Sequence, residues 1–165
     1  MIKQWFTEHV SAAIILLGLR IYLGYSWFTS GLGKITGGFD TSGYLQGAIG
    51  KAQGEDAIVQ PWWGAFLETF ALPNSGLFTF LVMWGELLVG LALLIGLLTK
   101  TGAFFGMLMN MAFLLSGTIS SNPEMLIIGS LIILGGTNAG RIGLDRYVKS
   151  IMKQKNLTSV KKKAA

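Results

Sequence analysis

The feature that most restricts what this chain can become is a run from Gly76 to Leu98 that holds a single charge, Glu86. About 20 residues of helix, rising ~1.5 Å each, cross the hydrocarbon core of a bilayer. A helix packed inside a water-soluble protein carries a polar stripe along such a length, and this one does not. Three more runs qualify: Val10 to Gly31, interrupted by Arg20; Gly102 to Ile119; and Pro123 to Ala139. The last is short, but Asn122-Pro123 is good helix-opening chemistry, since proline at the first helical position lacks a donor that would be unpaired anyway. With 52% hydrophobic and 13% charged residues, the expectation is an all-α integral membrane protein. A single domain over 1–148 would form a four-transmembrane-helix bundle, with spans at about 10–31, 76–98, 102–119 and 123–139, and residues 149–165 would form a basic tail.

Charge gives the direction. Arg141, Arg146, Lys149, Lys153, Lys155 and Lys161 to Lys163 follow the fourth run, and Lys100 sits in the short turn between the second and third. The long loop between the first two runs sets Lys34 and Lys51 against Asp40, Glu55, Asp56 and Glu68. The positive-inside rule then places both termini in the cytoplasm of a multi-pass protein of the cell membrane. Met1 to His9 has mixed charge and no cleavage site follows, so the first span is expected to stay in the mature protein. The net charge of +5 is read as contact with anionic membrane lipid and not with nucleic acid. In the outer loop, Pro61 leads large apolar groups at 62, 63, 66, 67 and 70, the spacing of one helix face. A short interfacial helix is expected there, an anchor or a lid.

Absent residue types exclude chemistry. With no cysteine there is no disulfide, thiol nucleophile, iron–sulfur cluster or thiolate-bound zinc. The one histidine, His9, precedes the first span, so neither metal nor haem is expected. Gly31-Leu-Gly33-Lys34 resembles a phosphate loop only superficially, lacking its Gly-Lys-Ser/Thr ending.

The charges inside the runs carry most information, because each costs ~2.5–3.5 kcal/mol at the centre of a membrane helix on insertion scales. Counted from the expected outer ends, Arg20 and Glu86 reach the same depth, which predicts an Arg20–Glu86 ion pair. Arg20 shares a helical stripe with Gly24, Trp27, Gly31 and Lys34; Glu86 shares one with Thr79, Met83 and Gly90. Asn110 lies on the third such stripe, and Lys34 falls at the outer mouth. Two readings stay open: polar glue that sets helix register, or a site for an anion or the polar head of a lipid-soluble molecule. A carboxylate and a guanidinium in such a place can bind quinone carbonyls and move the accompanying protons.

The ordered pieces Arg20-Ile-Tyr-Leu-Gly24, Gly31 with Lys34, Gly37-Gly38-Phe39-Asp40, Gly43-Tyr44-Leu45, Trp84-Gly85-Glu86-Leu-Leu-Val-Gly90, Gly96-Leu97-Leu98-Thr99, Asn110, Ser121-Asn122-Pro123, Asn138-Ala139-Gly140 and Gly143-Leu144-Asp145-Arg146 resemble the DoxX/DoxD family. The likeness is to its DoxD-like branch and extends over roughly residues 14 to 148. The resemblance implies a membrane subunit of a thiosulfate:quinone oxidoreductase-like system, in which two thiosulfates join as tetrathionate and the electrons enter the quinone pool. On that reading Glu86 and Arg20 are the candidate catalytic residues, and Lys34, Trp27, Trp84 and Asn110 the candidate contacts to quinone (menaquinone or ubiquinone) or substrate. A second redox subunit at the outer face and a homo-oligomer through the glycine faces are the expected partners. The alternatives are a non-catalytic membrane anchor or assembly partner for peripheral redox proteins and, more weakly, a carrier for a small anion or lipid.

Overall fold

In the computed structural model, which describes residues 1–148, 150 and 151, the chain is helical, with no strand among those residues. Helix α1 (Ile2–Glu8) turns at the extended His9 into α2 (Val10–Thr36). Then come α3 (Thr41–Gly50) and α4 (Pro61–Phe66), the latter running on through a π-helical turn, Leu67–Ala71. Helices α5 (Ser75–Ile95), α6 (Thr99–Leu115) and α7 (Asn122–Leu134) follow. α2, α5, α6 and α7 pack side by side in a ring, with α7 closing on α2. The end bearing α3 and α4 is the loop end; α1 lies at the opposite, tail end. Most of the expected basic tail, 149 and 152–165, lies outside the described residues.

α2 and α5 approach closely because glycine removes side chains from both. A Cβ on Gly24 would stand 2.9 Å from the Leu94 nitrogen, one on Gly31 2.5 Å from that of Leu87, and one on Gly90 2.3 Å from that of Phe28. Small residues at these points let backbones touch. They also define the register: 24 faces 94, 28 faces 90 and 31 faces 87.

α2 and α5, of 27 and 21 residues, are long and apolar enough to cross a membrane. The core helix of a water-soluble protein passes the same length test but is mostly buried, whereas only 22% of the most apolar window of α5 is. Phe80, Leu81, Leu88 and Leu91 of α5, and Phe104, Phe105 and Leu108 of α6, all point outward. A sheath of that kind gives the chain membrane character. α6 and α7 are shorter, at 17 and 13 residues. α7 stops at Leu134 and not near Ala139, because Gly135 and Gly136, the latter with φ of +60°, turn the chain away. α2 in turn runs five residues beyond Gly31, which is a packing contact and not a helix end.

The loop between α2 and α5 holds two helical segments where one was expected. α3 is capped by Asp40, whose carboxylate accepts from the Ser42 backbone N–H at 3.3 Å and from the Ser42 hydroxyl. Leu45 and Ala48 of α3 pack on Leu67 and Ala71 beyond α4, with Trp63 and Phe66 beside them, while Trp62 and Phe70 stay exposed. Thr41 ties α3 to α5, its hydroxyl donating to the Ser75 carbonyl at 2.9 Å and its N–H to Thr79 Oγ1 at 3.0 Å.

At the tail end, residues 138–145 form a strap. Asn138 donates to the carbonyls of Phe6 (3.1 Å) and His9 (2.9 Å), and Arg141 to that of Glu8 (2.7 Å), which holds α1 in place. Asp145 accepts from the Leu98 and Thr99 N–H groups at 2.7 and 3.0 Å and so caps α6.

Two expected outcomes follow from this packing. Gly90→Ala forces its methyl into the α2 backbone, and overpacking of this kind costs about 1–3 kcal/mol; thermal unfolding in detergent should show a clear fall in midpoint, whereas Gly18→Ala, which meets nothing within 4 Å, keeps or raises it, as alanine does in a helix interior. The Ser42 hydroxyl and N–H hold the Asp40 carboxyl below its ordinary range, assisted by Thr79. A group whose folded value is depressed stabilises above its unfolded value and loses that contribution as pH falls through the folded one. Hydrogen-exchange protection factors in α3, which correct for the intrinsic pH dependence of exchange, should therefore be constant from neutral pH down to about pH 4 and fall below it, and Asp40→Asn should flatten that dependence.

Candidate functional site

Glu86 lies midway along α5 and faces into the ring. It is 1% exposed, and a carboxylate so placed needs a partner. That partner is Lys34, whose ammonium donates to Glu86 Oε2 at 2.7 Å and to Ser30 Oγ at 2.7 Å. The Lys34 side chain is 24% exposed, so its stem runs along the inside of α2 while its charge lies between Glu86 and the outside.

The expected Arg20–Glu86 pair is not formed. The α2–α5 register explains why: Gly31, not Arg20, stands opposite the turn that bears Glu86, and Arg20 falls about three helical turns away. The depth estimate failed because it took Gly31 and Gly76 as equivalent ends, whereas α5 extends past the end of α2, its first residue meeting Thr41. Arg20 is buried at the tail end. Its Nη1 donates to the Ala139 carbonyl at 3.2 Å and its Nη2 to that of Ile142 at 2.6 Å. The guanidinium lies against Gly96 and Gly143, where an added Cβ would stand 2.3 and 2.7 Å from Nη1. Asp145 supplies the opposing charge.

Lys34 and Glu86 border a cavity of about 290 Å³. α2 contributes Ser26, Trp27, Ser30 and Lys34; α6 contributes Phe113; the turn after it contributes Thr118, Ser120 and Ser121; α7 contributes Asn122 and Met125; and Phe39 and Tyr44 come from the loop end. Lys34 Nζ stands 5.6 Å from the centre of the Phe39 ring, within cation–π range. The α6–α7 turn carries two residues with positive φ, Gly117 (71°) and Ser120 (39°). A non-glycine residue in that region stores strain, a frequent feature of ligand sites. A smaller, almost wholly apolar cavity of about 90 Å³ lies alongside, sharing Phe39, Tyr44 and Phe113 with the first and walled by Trp63, Phe66 and Phe78.

The other expected residues divide. Trp27 is 2% exposed, lines the larger cavity and has its indole N–H buried without an acceptor. Asn110 is fully buried, and neither its amide nitrogen nor its oxygen has a partner. It lies level with Glu86, since a Cβ on the neighbouring Gly85 would meet Met109 at 3.3 Å. Trp84 is 42% exposed and packs beside Phe80 on the outer face of α5. Two residues along a helix are about 200° apart, so nearness to Glu86 in sequence put it on the wrong side. Ser26, Ser30 and Tyr44 were missed as wall residues; the only trace in the sequence was the four-residue spacing of Ser26, Ser30 and Lys34.

A family model described as DoxX matches residues 15–117. No curated protein and no solved structure matches the chain. The matched stretch contains Lys34, Glu86, Trp27 and Asn110, and ends before α7 and the strap.

The ion pair gives a direct test. Lys34→Met leaves a carboxylate buried without its partner, for which about 3–5 kcal/mol of destabilisation is typical. Combining it with Glu86→Gln removes the orphaned charge. In a double-mutant cycle by chemical denaturation, the double variant should be more stable than Lys34→Met alone.

Proposed function

The chain belongs to the DoxX family, and on that premise we propose that it is a membrane redox protein whose cavity binds the ring of a quinone. The family is a membrane family linked to redox and quinone-related functions. The observation that carries the proposal is the buried Lys34–Glu86 pair set in the wall of an aromatic, hydroxyl-bearing cavity. Its volume lies near the lower end for small-molecule sites, enough for a ring but not for an isoprenoid tail.

A bound quinone supplies an acceptor for two electrons and two protons. The chain's own groups then have distinct tasks. The Lys34 ammonium offers a hydrogen bond to a ring carbonyl and offsets negative charge arriving there. The Glu86 carboxylate, which accepts from Lys34 at Oε2, is placed to relay protons between the ammonium and the ring during turnover. Trp27, whose N–H is turned towards Gly106, lends its indole face to the ring beside Phe39, Tyr44 and Phe113. Asn110 is buried at the same depth but lines neither cavity. Arg20, tied to main-chain carbonyls at the tail end, is assigned to holding the strap.

The finer reading is a thiosulfate:quinone oxidoreductase-like subunit. Two thiosulfates yield tetrathionate and two electrons, which a quinone takes up with two protons. The exposed edge of Lys34 suits an anionic donor arriving at the loop end. The chain has no cysteine and one histidine, so the electrons pass directly from the donor, or come from a bound cofactor or a second redox subunit. In this arrangement α2, α5, α6 and α7 all cross the cell membrane, the loop end is external, and both termini are cytoplasmic as the positive-inside rule requires. A second reading, an anchor for a peripheral redox protein, is favoured by the exposed Trp62 and Phe70 at the loop end.

The test is quinone reduction by the purified chain in lipid nanodiscs with thiosulfate as donor. The proposal expects turnover that Glu86→Gln lowers by about 100-fold or more while the helices stay folded. Quinone that neither binds nor is reduced, with or without a co-purified partner, would overturn it in favour of the anchor.

A further inference from the structure

The cavity has a side as well as a loop end, and the two are built differently. Towards the loop end it is tied down. The Tyr44 hydroxyl lies 3.0 Å from that of Thr118, the Trp63 indole N–H donates to Ser116 Oγ at 2.9 Å, and Lys51 donates to the Gly117 carbonyl at 3.2 Å. Three separate elements of the loop region thus hold the α6–α7 turn beneath them.

The side towards α2 and α7 is tied only below the level of Ser26, by one side-chain bond among the described residues. These two helices meet at the tail end, where a Cβ on Gly135 would stand 2.6 Å from Leu16. Further along, the Tyr22 hydroxyl donates to the Glu124 carboxylate across the junction. Beyond that bond, one turn on from Tyr22 and next to Glu124, the facing residues are Ser26 and Met125, and both border the cavity. Nothing in α7 covers α2 further out, since α7 begins at Asn122. Ser26 and Ser30 are accordingly half-exposed, and the wall opens sideways between the two helices. Tyr22 and Glu124 are both exposed on the outward surface, a polar pair in a sheath otherwise formed of large apolar side chains.

We propose that the α2–α7 seam is a lateral portal through which a membrane-dissolved amphiphile enters, its polar ring reaching Lys34 and Glu86 and its aliphatic tail remaining outside in the lipid, beyond Ser26 and Met125. The inference rests on the quinone reading for the nature of the ring, and adds the route and the requirement for a tail. It accounts for the mismatch between a ring-sized cavity and a long-tailed ligand: the tail never has to fit inside. The hydroxyls of Ser26 and Ser30 give the ring polar contacts on the way in, and Tyr22–Glu124 marks the depth at which the helices close again.

Because the chain has no cysteine, a single introduced thiol reports on the portal alone. Ser26→Cys is prepared in phosphatidylcholine nanodiscs and labelled either with lipid-soluble pyrenyl maleimide or with a membrane-impermeant sulfonated maleimide. Leu108→Cys, on the outward face of α6, is the reference for reaction within the bilayer. The expected result is that Ser26→Cys takes the lipid-soluble reagent at a rate within a few-fold of the reference and resists the impermeant one. Decylubiquinone should slow labelling at residue 26 several-fold and leave residue 108 unaffected, whereas the tail-less ring, ubiquinone-0, should protect far less. Labelling by the impermeant reagent at a comparable rate would overturn the portal, because it reveals a water-filled route; quinone reading and reduction assay would be untouched. Lipid-soluble labelling that no quinone slows would overturn the assigned occupant, and with it the quinone reading.

Discussion

Contact between α2 and α5, made possible by three glycines, decides where Lys34, Glu86 and Arg20 lie. Once Gly24, Gly31 and Gly90 bring the two backbones together, the relative position of the helices cannot shift without a side chain striking a main chain. Lys34 is thereby delivered to Glu86, and Arg20 is carried towards the α5–α6 turn. The loop region inherits the same constraint, since α5 outruns α2 and the surplus is what α3 docks against through Thr41.

Two buried charges, two solutions. Glu86 is neutralised by an ion of opposite sign that keeps part of its stem in contact with the outside. Arg20 is satisfied chiefly by carbonyl oxygens, with Asp145 as the more distant countercharge. A guanidinium has five donors in a planar fork and suits main-chain acceptors arranged around it, whereas a carboxylate needs donors. The glycines at 96 and 143 belong to the arginine as much as to their own turns, because their missing side chains make its bed.

Much of this was legible in the sequence, and the failures have definite causes. The long apolar run announced α5, Pro61 announced α4, and the stripe through Trp27, Gly31 and Lys34 identified the correct face of α2. The pairing failed because a glycine at a helix end and a glycine at a helix contact look alike in sequence, so Gly31 was taken for a terminus. α3 was overlooked although Asp40-Thr41-Ser42 is capping chemistry and Tyr44, Leu45 and Ala48 are helically spaced; short amphipathic segments give too few turns for the pattern to stand out. Trp84 shows the opposite hazard, in which a residue gains weight from its neighbour in sequence while facing the other way. In the sequence, the stretch from Asn138 to Asp145 reads as the end of the fourth span and a basic flank that sets orientation. In the folded chain it is the strap, and its glycines leave room for Arg20 and the Asp145 carboxylate.

The strap also sets an order of events. Arg20 precedes its two carbonyl partners by 119 and 122 residues, and chains are made from the N-terminus onward. Until residues 139 to 142 are made, α2 therefore carries a cation whose native acceptors do not yet exist. The last helix brings those acceptors with it. Closure of the ring and relief of the arginine are then a single event, and a chain cut short before Ala139 would retain the charge without its cradle. Two of the Arg20 donors thus find their acceptors only in residues that follow the last helix.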